Sequence, residues 1–190
     1  FFYTFRKKII PKLKDLPEIR IWHAGCSTGE EVYSMAILLQ EEGLLDKAKI
    51  YATDMNEKVI EKARQGAFSL KRMQAYTKNY LQAGGKAAFS VYYNTDVQYA
   101  YFDPSLSKNI VFAQHNLVTD GSFNEFHVII CRNVIIYFNM ELQEKVFQLF
   151  SDSLSSGGFI GLGNKESLKI MEMSHAFDEI DSAQRLYQKK

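Results

Sequence analysis

Apolar residues recur at helical spacing in the opening stretch, at Phe2, Phe5, Ile9, Ile10 and Leu13. This predicts a helix that Pro11 interrupts. A helix that opens on an exposed apolar face predicts further chain upstream, so residues 1–16 read as the remnant of an N-terminal helical region or a linker. After Pro17 the short apolar run 19–24 reads as a buried strand, ended by a turn of Gly, Ser and Thr. Over 30–42, Val32, Met35, Ala36 and Leu39 share one face of an amphipathic helix, which Gly43 stops. Residues 49–54 predict a second strand and 56–64 a second helix, closed by Gly66. Strands and helices alternating in this order predict a parallel sheet with crossover helices.

The alternation breaks over 67–109. A helix at 71–81 meets Gly84-Gly85, and an aromatic stretch follows with partial alternation at Phe89, Val91, Tyr93, Val97, Tyr99 and Tyr101. It predicts a strand pair or small sheet inserted into the main pattern. The pattern resumes with strands at 110–115 and 126–131, a helix at 141–154, Gly157-Gly158 and a strand at 159–163. Two further short strands, 176–180 and 185–188, predict an antiparallel hairpin at the end of the sheet. The fold class is therefore α/β, one domain over 17–190 with a small subdomain inserted at about 67–109.

Composition narrows the partners. The chain has 190 residues, 46% hydrophobic and 24% charged, the balance of a soluble globular domain that forms its core without staples. Lys and Arg number 23 against 22 Asp and Glu, a net charge of +1, so nucleic acid is not an expected partner. No apolar run approaches the roughly 20 residues that span a bilayer. No signal peptide opens the chain, so the expectation is a cytoplasmic protein without membrane insertion. The two cysteines, Cys26 and Cys131, each lie in an apolar stretch, which argues against a disulfide framework. The histidines and cysteines show no ligand spacing, so no metal site is expected.

The most informative stretch is the turn from His23 to Glu31. Its small residues let the backbone turn tightly and approach a ligand at a helix N-terminus. Residues 25–29 also satisfy G-x-S-x-G, the nucleophile elbow of serine hydrolases. Such an elbow normally follows an interior strand, whereas this turn follows the first, and His175 lies in a polar segment without an acid at a strand end nearby. A plain structural turn stands as the third reading. Asp54 ends the second strand 25 residues after Gly29, where such folds hold a ribose hydroxyl pair, although Asp also caps helices well. His115-Asn116-Leu117 follows the next strand, with an amide for a base edge and an apolar wall. Arg132 follows four apolar residues and precedes another apolar run, so it requires an anionic partner, either a protein carboxylate or a ligand. The tyrosines over 92–101 lack interleaved cations and read as sheet packing rather than a base-stacking surface.

Together, residues 20–34, 52–56, 115–117 and 131–138 resemble the CheR-type chemotaxis methyltransferases, which use S-adenosylmethionine to methylate glutamate side chains of chemoreceptors. The resemblance runs from about residue 1 to the end. It implies a Rossmann-like class I methyltransferase fold, with S-adenosylhomocysteine as product and the cytoplasmic helices of chemoreceptors as partners. By the same resemblance, Ala24, Gly25, Ser27 and Gly29 wrap the methionine part of the cofactor, and Glu30 or Glu31 lies near its ammonium. Asp54 holds the ribose, and Asn116 and Leu117 contact the adenosine. Arg132 and Asn133 line the transfer site, where Arg132 and Tyr137 are the catalytic candidates. The family also has an N-terminal helical domain, with a junction motif whose Arg and Thr reach the cofactor; this chain is expected to begin just past it. Alternatives to the enzyme are a cofactor-binding sensor without transfer, and the serine hydrolase.

Overall fold

The computed structural model describes residues 1–190, the side chain of Ile170 excepted. Five strands run parallel to their neighbours: β1 (Ile19–Ala24), β2 (Ala48–Asp54), β6 (Ile110–Gln114), β7 (Phe126–Cys131) and β8 (Leu154–Leu162). The hairpin β9 (Phe177–Asp181) and β10 (Leu186–Lys189) joins β8 antiparallel, completing the order β6-β2-β1-β7-β8-β10-β9. The expected parallel sheet with its antiparallel hairpin is thus present. β1 and β7 read almost continuously apolar because the sheet is covered on both faces.

One face packs Ile21 and Ile50 against Met35 and Leu39 of α3 (Glu30–Glu41) and against Phe5, Ile9 and Leu13. The other packs Trp22, Phe126 and Ile160 against Phe147 and Phe150 of α6 (Met140–Ser153). The buried Trp22 indole donates to Thr53 Oγ1 at 2.8 Å, so its one polar atom is satisfied. The opening segment forms α1 (Phe2–Lys8) and α2 (Ile10–Leu13), with Pro11 in the first turn of α2, where a missing N–H leaves no bond unmade. Its apolar face is covered: Phe5, Ile9, Ile10 and Leu13 are buried in the first of these cores. The helix after β2 is α4 (Glu57–Gln65).

Of the two expectations for the insertion, a strand pair or a small sheet, the small sheet is the one present. The insertion holds α5 (Leu70–Gln82) and a three-stranded antiparallel sheet in the order β3-β5-β4, built from β3 (Ala67–Ser69), β4 (Tyr93–Thr95) and β5 (Tyr99–Phe102). Residues Phe89–Tyr92 form a 3-10 turn, which brings Phe89 and Tyr92, three apart, to the same buried side. β8 also begins earlier than expected. Gly157, at φ +75°, lies inside it, and the register against β7 shifts there. The Gly pair makes a bulge, not a turn. Among the described residues, no helix is long and apolar enough to cross a membrane.

β2 and β6 lie on one side of β1, and β7 and β8 on the other. The strand order therefore reverses at β1, and in open α/β sheets the C-terminal strand ends at such a point form the ligand crevice.

Candidate active site

The turn after β1 is fastened to the end of β2. The N–H groups of Gly25 and Cys26 both donate to Thr53 O at 2.8 Å. Gly25 sits at φ +79°, and a Cβ there would strike Val134, so only glycine lets the two loops meet. Ser27, at φ +49°, donates its N–H to Asp54 Oδ2 at 2.9 Å, while Asp54 Oδ1 accepts from Asn56 N–H at 3.0 Å. The cap of α4 is Asn56, whose Oδ1 accepts from Lys58 N–H, so Asp54 is not that cap. Gly29 caps α3 at φ +92°, and its missing Cβ leaves room for Ala63 of α4. That glycine serves helix packing.

A cleft of about 540 Å³ opens at the strand ends, within the range of small-molecule sites. Gly25, Ser27, Asp54, Asn116, Leu117, Arg132, Asn133 and Tyr137 all line it, joined by Met55, His115, Val134 and Phe138. Leu117 is a buried wall, and Tyr137, 80% exposed, stands at the rim. Asn116 Oδ1 accepts from Val118 N–H, and its own N–H donates to Asp120 Oδ2, which fixes the turn. The Asn116 side-chain amide makes no donor bond among the described residues. His115 is held edge-on by Trp22 and bonds Gly121 O through Nε2.

Glu30, Glu31, Ala24 and Gly29 do not line this cleft. Ala24 is buried as the last residue of β1. The two glutamates line a neighbouring cavity of about 230 Å³ between α3, α5 and Phe2, and Arg132 is the residue common to both spaces. Arg132 Nη1 pairs with Glu31 Oε2 at 2.6 Å, its Nε is buried without a partner, and its guanidinium lies 4.4 Å from the Phe1 ring centre. The anionic partner that the sequence required is thus Glu31. His23 Nδ1 approaches the other Glu31 oxygen at 3.4 Å. Burial works to raise the Glu31 carboxyl, but His23 and Arg132 outweigh it and hold it below the usual carboxylate range.

Glu166 is a site residue that sequence reasoning did not find. It is 4% exposed, and its carboxylate accepts four main-chain N–H bonds: Gly163 (2.5 Å) and Asn133 (3.1 Å) on Oε2, Val134 (2.9 Å) and Ile135 (3.0 Å) on Oε1. An acid between Lys165 and Ser167 carries no periodic or motif signal.

The geometry does not fit a hydrolase elbow. Ser27 Oγ has no histidine partner among the described residues, and its N–H is committed to Asp54. Burial, aided by the Asp54 charge, pushes the neighbouring Cys26 thiol up to about 12, so it is no nucleophile either. The cleft instead combines a carboxylate, apolar walls from Leu117, Val134 and Phe138, a glycine turn and an arginine with an unpartnered N–H. That donor set fits a nucleoside bearing a charged tail.

The family described as the CheR methyltransferase SAM-binding domain matches residues 1–186. The chain is 46% identical over 188 residues to the Pseudomonas putida protein named methyltransferase Cher3, a match covering 99% of this chain and 69% of that protein. It is 32% identical over 167 residues to the chemotaxis protein methyltransferase of Listeria innocua, covering 87% of this chain and 61% of that one. Against the Salmonella typhimurium chemotaxis protein methyltransferase, identity is 32% over 155 residues, covering 79% and 52%. Among solved structures, PKMT2 from Rickettsia typhi in complex with AdoHcy is similar in fold. The TM-score is 0.50 and identity 16%, over 85% of this chain and 25% of that one.

Proposed function

The chain belongs to the CheR methyltransferase family, with S-adenosylmethionine as its cofactor, and from that premise we propose that it methylates glutamate side chains on the cytoplasmic helices of chemoreceptors. The observation that carries this reading is the single cleft in which Asp54, Asn116, Leu117, Arg132 and Tyr137 meet at the reversal of strand order. When bound, the cofactor supplies a methyl group on a sulfonium. Asp54 accepts the ribose hydroxyls, Leu117 and Asn116 bound the adenine, and the backbone at Gly25 and Ser27 allows close approach.

A substrate glutamate, with a reference pKa near 4.3, is already ionised at neutral pH. No general base is required, and the residues have an alignment problem to solve. Arg132 suits positioning rather than activation. Its charge is already matched by Glu31 at 2.6 Å, so it orients an incoming carboxylate without binding it so strongly that nucleophilicity is lost. Tyr137, exposed at the rim of the cleft, meets the substrate side chain in this reading.

The test is transfer of labelled methyl from S-adenosylmethionine to a purified chemoreceptor cytoplasmic fragment. A carboxyl methyl ester releases its label as volatile methanol in mild base. Label that survives base, as on a lysine or arginine nitrogen, overturns the glutamate assignment.

A further inference from the structure

The loop that closes one side of the cleft carries Arg132, Asn133, Val134 and Tyr137, and the one piece of regular structure in it is a single 3-10 turn, Ile135–Tyr137. Asn133 adopts φ +60°, a left-handed conformation that Asn tolerates better than most residues with a Cβ. What surrounds it is the Glu166 carboxylate. Three consecutive main-chain donors, those of Asn133, Val134 and Ile135, converge on that carboxylate as a nest. Gly163 supplies the fourth donor, and a Cβ at Gly163 would stand 2.6 Å from Glu166 Oε2 and 2.8 Å from Asn133 N. No lysine or arginine pairs with Glu166 among the described residues. Its negative charge is met by backbone dipoles alone, and all of them except that of Gly163 belong to one loop.

Glu166 does not line the cleft. It reaches the cleft through the backbone: the carboxylate fixes residues 133–135, and these fix Arg132 on one side, Tyr137 on the other, and Val134 against Gly25 in the middle. We propose that Glu166 is a positioning residue for methyl transfer, its buried carboxylate holding the 133–135 backbone so that Arg132, Asn133 and Tyr137 face the cofactor cleft. The inference rests on the methyltransferase reading for its catalytic part and on geometry alone for its binding part.

Glu166→Gln separates positioning from general stability. The amide keeps the size of the side chain, but it retains one acceptor oxygen and turns an NH2 group toward main-chain donors. Affinity for S-adenosylhomocysteine, read by calorimetry, should fall at least about 10-fold, the equivalent of one lost charge-assisted bond. Hydrogen exchange at the amides of 133–135 should accelerate, and kcat for methyl transfer should fall by a larger factor than affinity. The comparator is Leu13→Ala in α2, buried in the core on the other face of the sheet, which shares no residue with the cleft lining. At a temperature where both variants are folded, it should lower Tm and leave affinity and kcat near the parent values. Should Glu166→Gln fail to fold, Glu166→Asp keeps the charge one methylene short and should show the same pattern at smaller size. A Glu166 variant that behaves like Leu13→Ala, with lowered Tm and unchanged affinity, exchange and kcat, overturns the proposal. If the parent transfers no methyl group, the functional reading fails, while affinity and exchange still decide the role of Glu166.

Discussion

Asp54 holds two main-chain amides at once, Ser27 N–H through Oδ2 and Asn56 N–H through Oδ1, and still faces the cleft. Its two roles are separable by measurement. Asp54→Asn keeps the shape but removes the charge, and cofactor affinity should fall by about 1.5–3 kcal/mol, the range for a hydrogen bond to a charged group. Titration with S-adenosylhomocysteine, alongside Tm, reads both roles; an unchanged affinity with a lowered Tm would reduce Asp54 to a brace for the turn. Ser27 offers the contrasting case, because its backbone does the work. Ser27→Gly removes the hydroxyl and the Cβ at φ +49°, and affinity should stay within about twofold of the parent, since glycine accepts that conformation freely. Loss of affinity beyond that would show that the hydroxyl itself contacts the ligand. Asp54 was legible in the sequence because an acid at a strand end beyond a glycine turn has a position with a meaning. Glu166 was not, because an isolated acid in a polar stretch looks the same whether it faces water or four buried amides.

The inserted subdomain is fastened to the domain through one carboxylate at the end of α3. Glu41 accepts from Arg6 Nη2 at 2.6 Å, Tyr80 Oη at 2.5 Å, Lys86 N–H at 2.7 Å and Tyr92 Oη at 3.0 Å, joining α1, α5 and the aromatic turn. Burial alone would raise this carboxyl. The hydrogen bonds from Tyr80, Lys86, Arg6 and Tyr92 outweigh burial and hold it below the usual range. A depressed folded value means that the stabilisation is present above the unfolded value, near 4.3, and is lost as pH falls through the folded one. Glu41→Gln should lower stability at neutral pH by about 1–3 kcal/mol, and its stability should decline less steeply than the parent's below about pH 4.3. Denaturation followed across pH 3 to 7 checks both; parallel acid limbs would mean that Glu41 protonation is not coupled to unfolding. None of this anchoring was visible beforehand. The aromatic alternation over 89–101 predicted a strand pair or small sheet, and a small sheet is present, but Phe89 and Tyr92 lie in a 3-10 turn and meet the core at a spacing of three, and β3 is too short to show a period. The long, strongly periodic elements behaved differently: β1 and β7 have the expected bounds, α3 ends one residue early, and α6 is shifted by one residue at both ends.

At the scale of the molecule, the cleft is a joint between two halves of the sheet, and the joint has a specific contact. The turn after β1 brings Asp54 and Ser27 from one side, and the loop after β7 brings Arg132 to Tyr137 from the other. Parallel pairing and the gathering of these residues at strand ends followed from the alternation, which is why they were legible, whereas the order of the strands in the sheet leaves no such trace. Glu30 and Glu31, one of which the resemblance puts near the cofactor's ammonium, line the adjoining cavity, where the first turn of α3 brings them to Arg72 of α5 and to Arg132. Gly25 and Val134 are where the two halves touch. Gly25→Ala should force the loops apart and lower S-adenosylhomocysteine affinity by at least 10-fold, or roughly 1.4 kcal/mol. Val134→Ala alone removes two methyl groups from the partner and should be milder. The double variant should recover part of the loss, since the collision is relieved while the strain of alanine at φ +79°, on the order of 1–3 kcal/mol, remains. The coupling between the two sites, measured as a double-mutant cycle on affinity, should therefore be favourable and at least about 0.5 kcal/mol. Strict additivity would mean that the loops respond independently, and the cleft would then have no joint at this point.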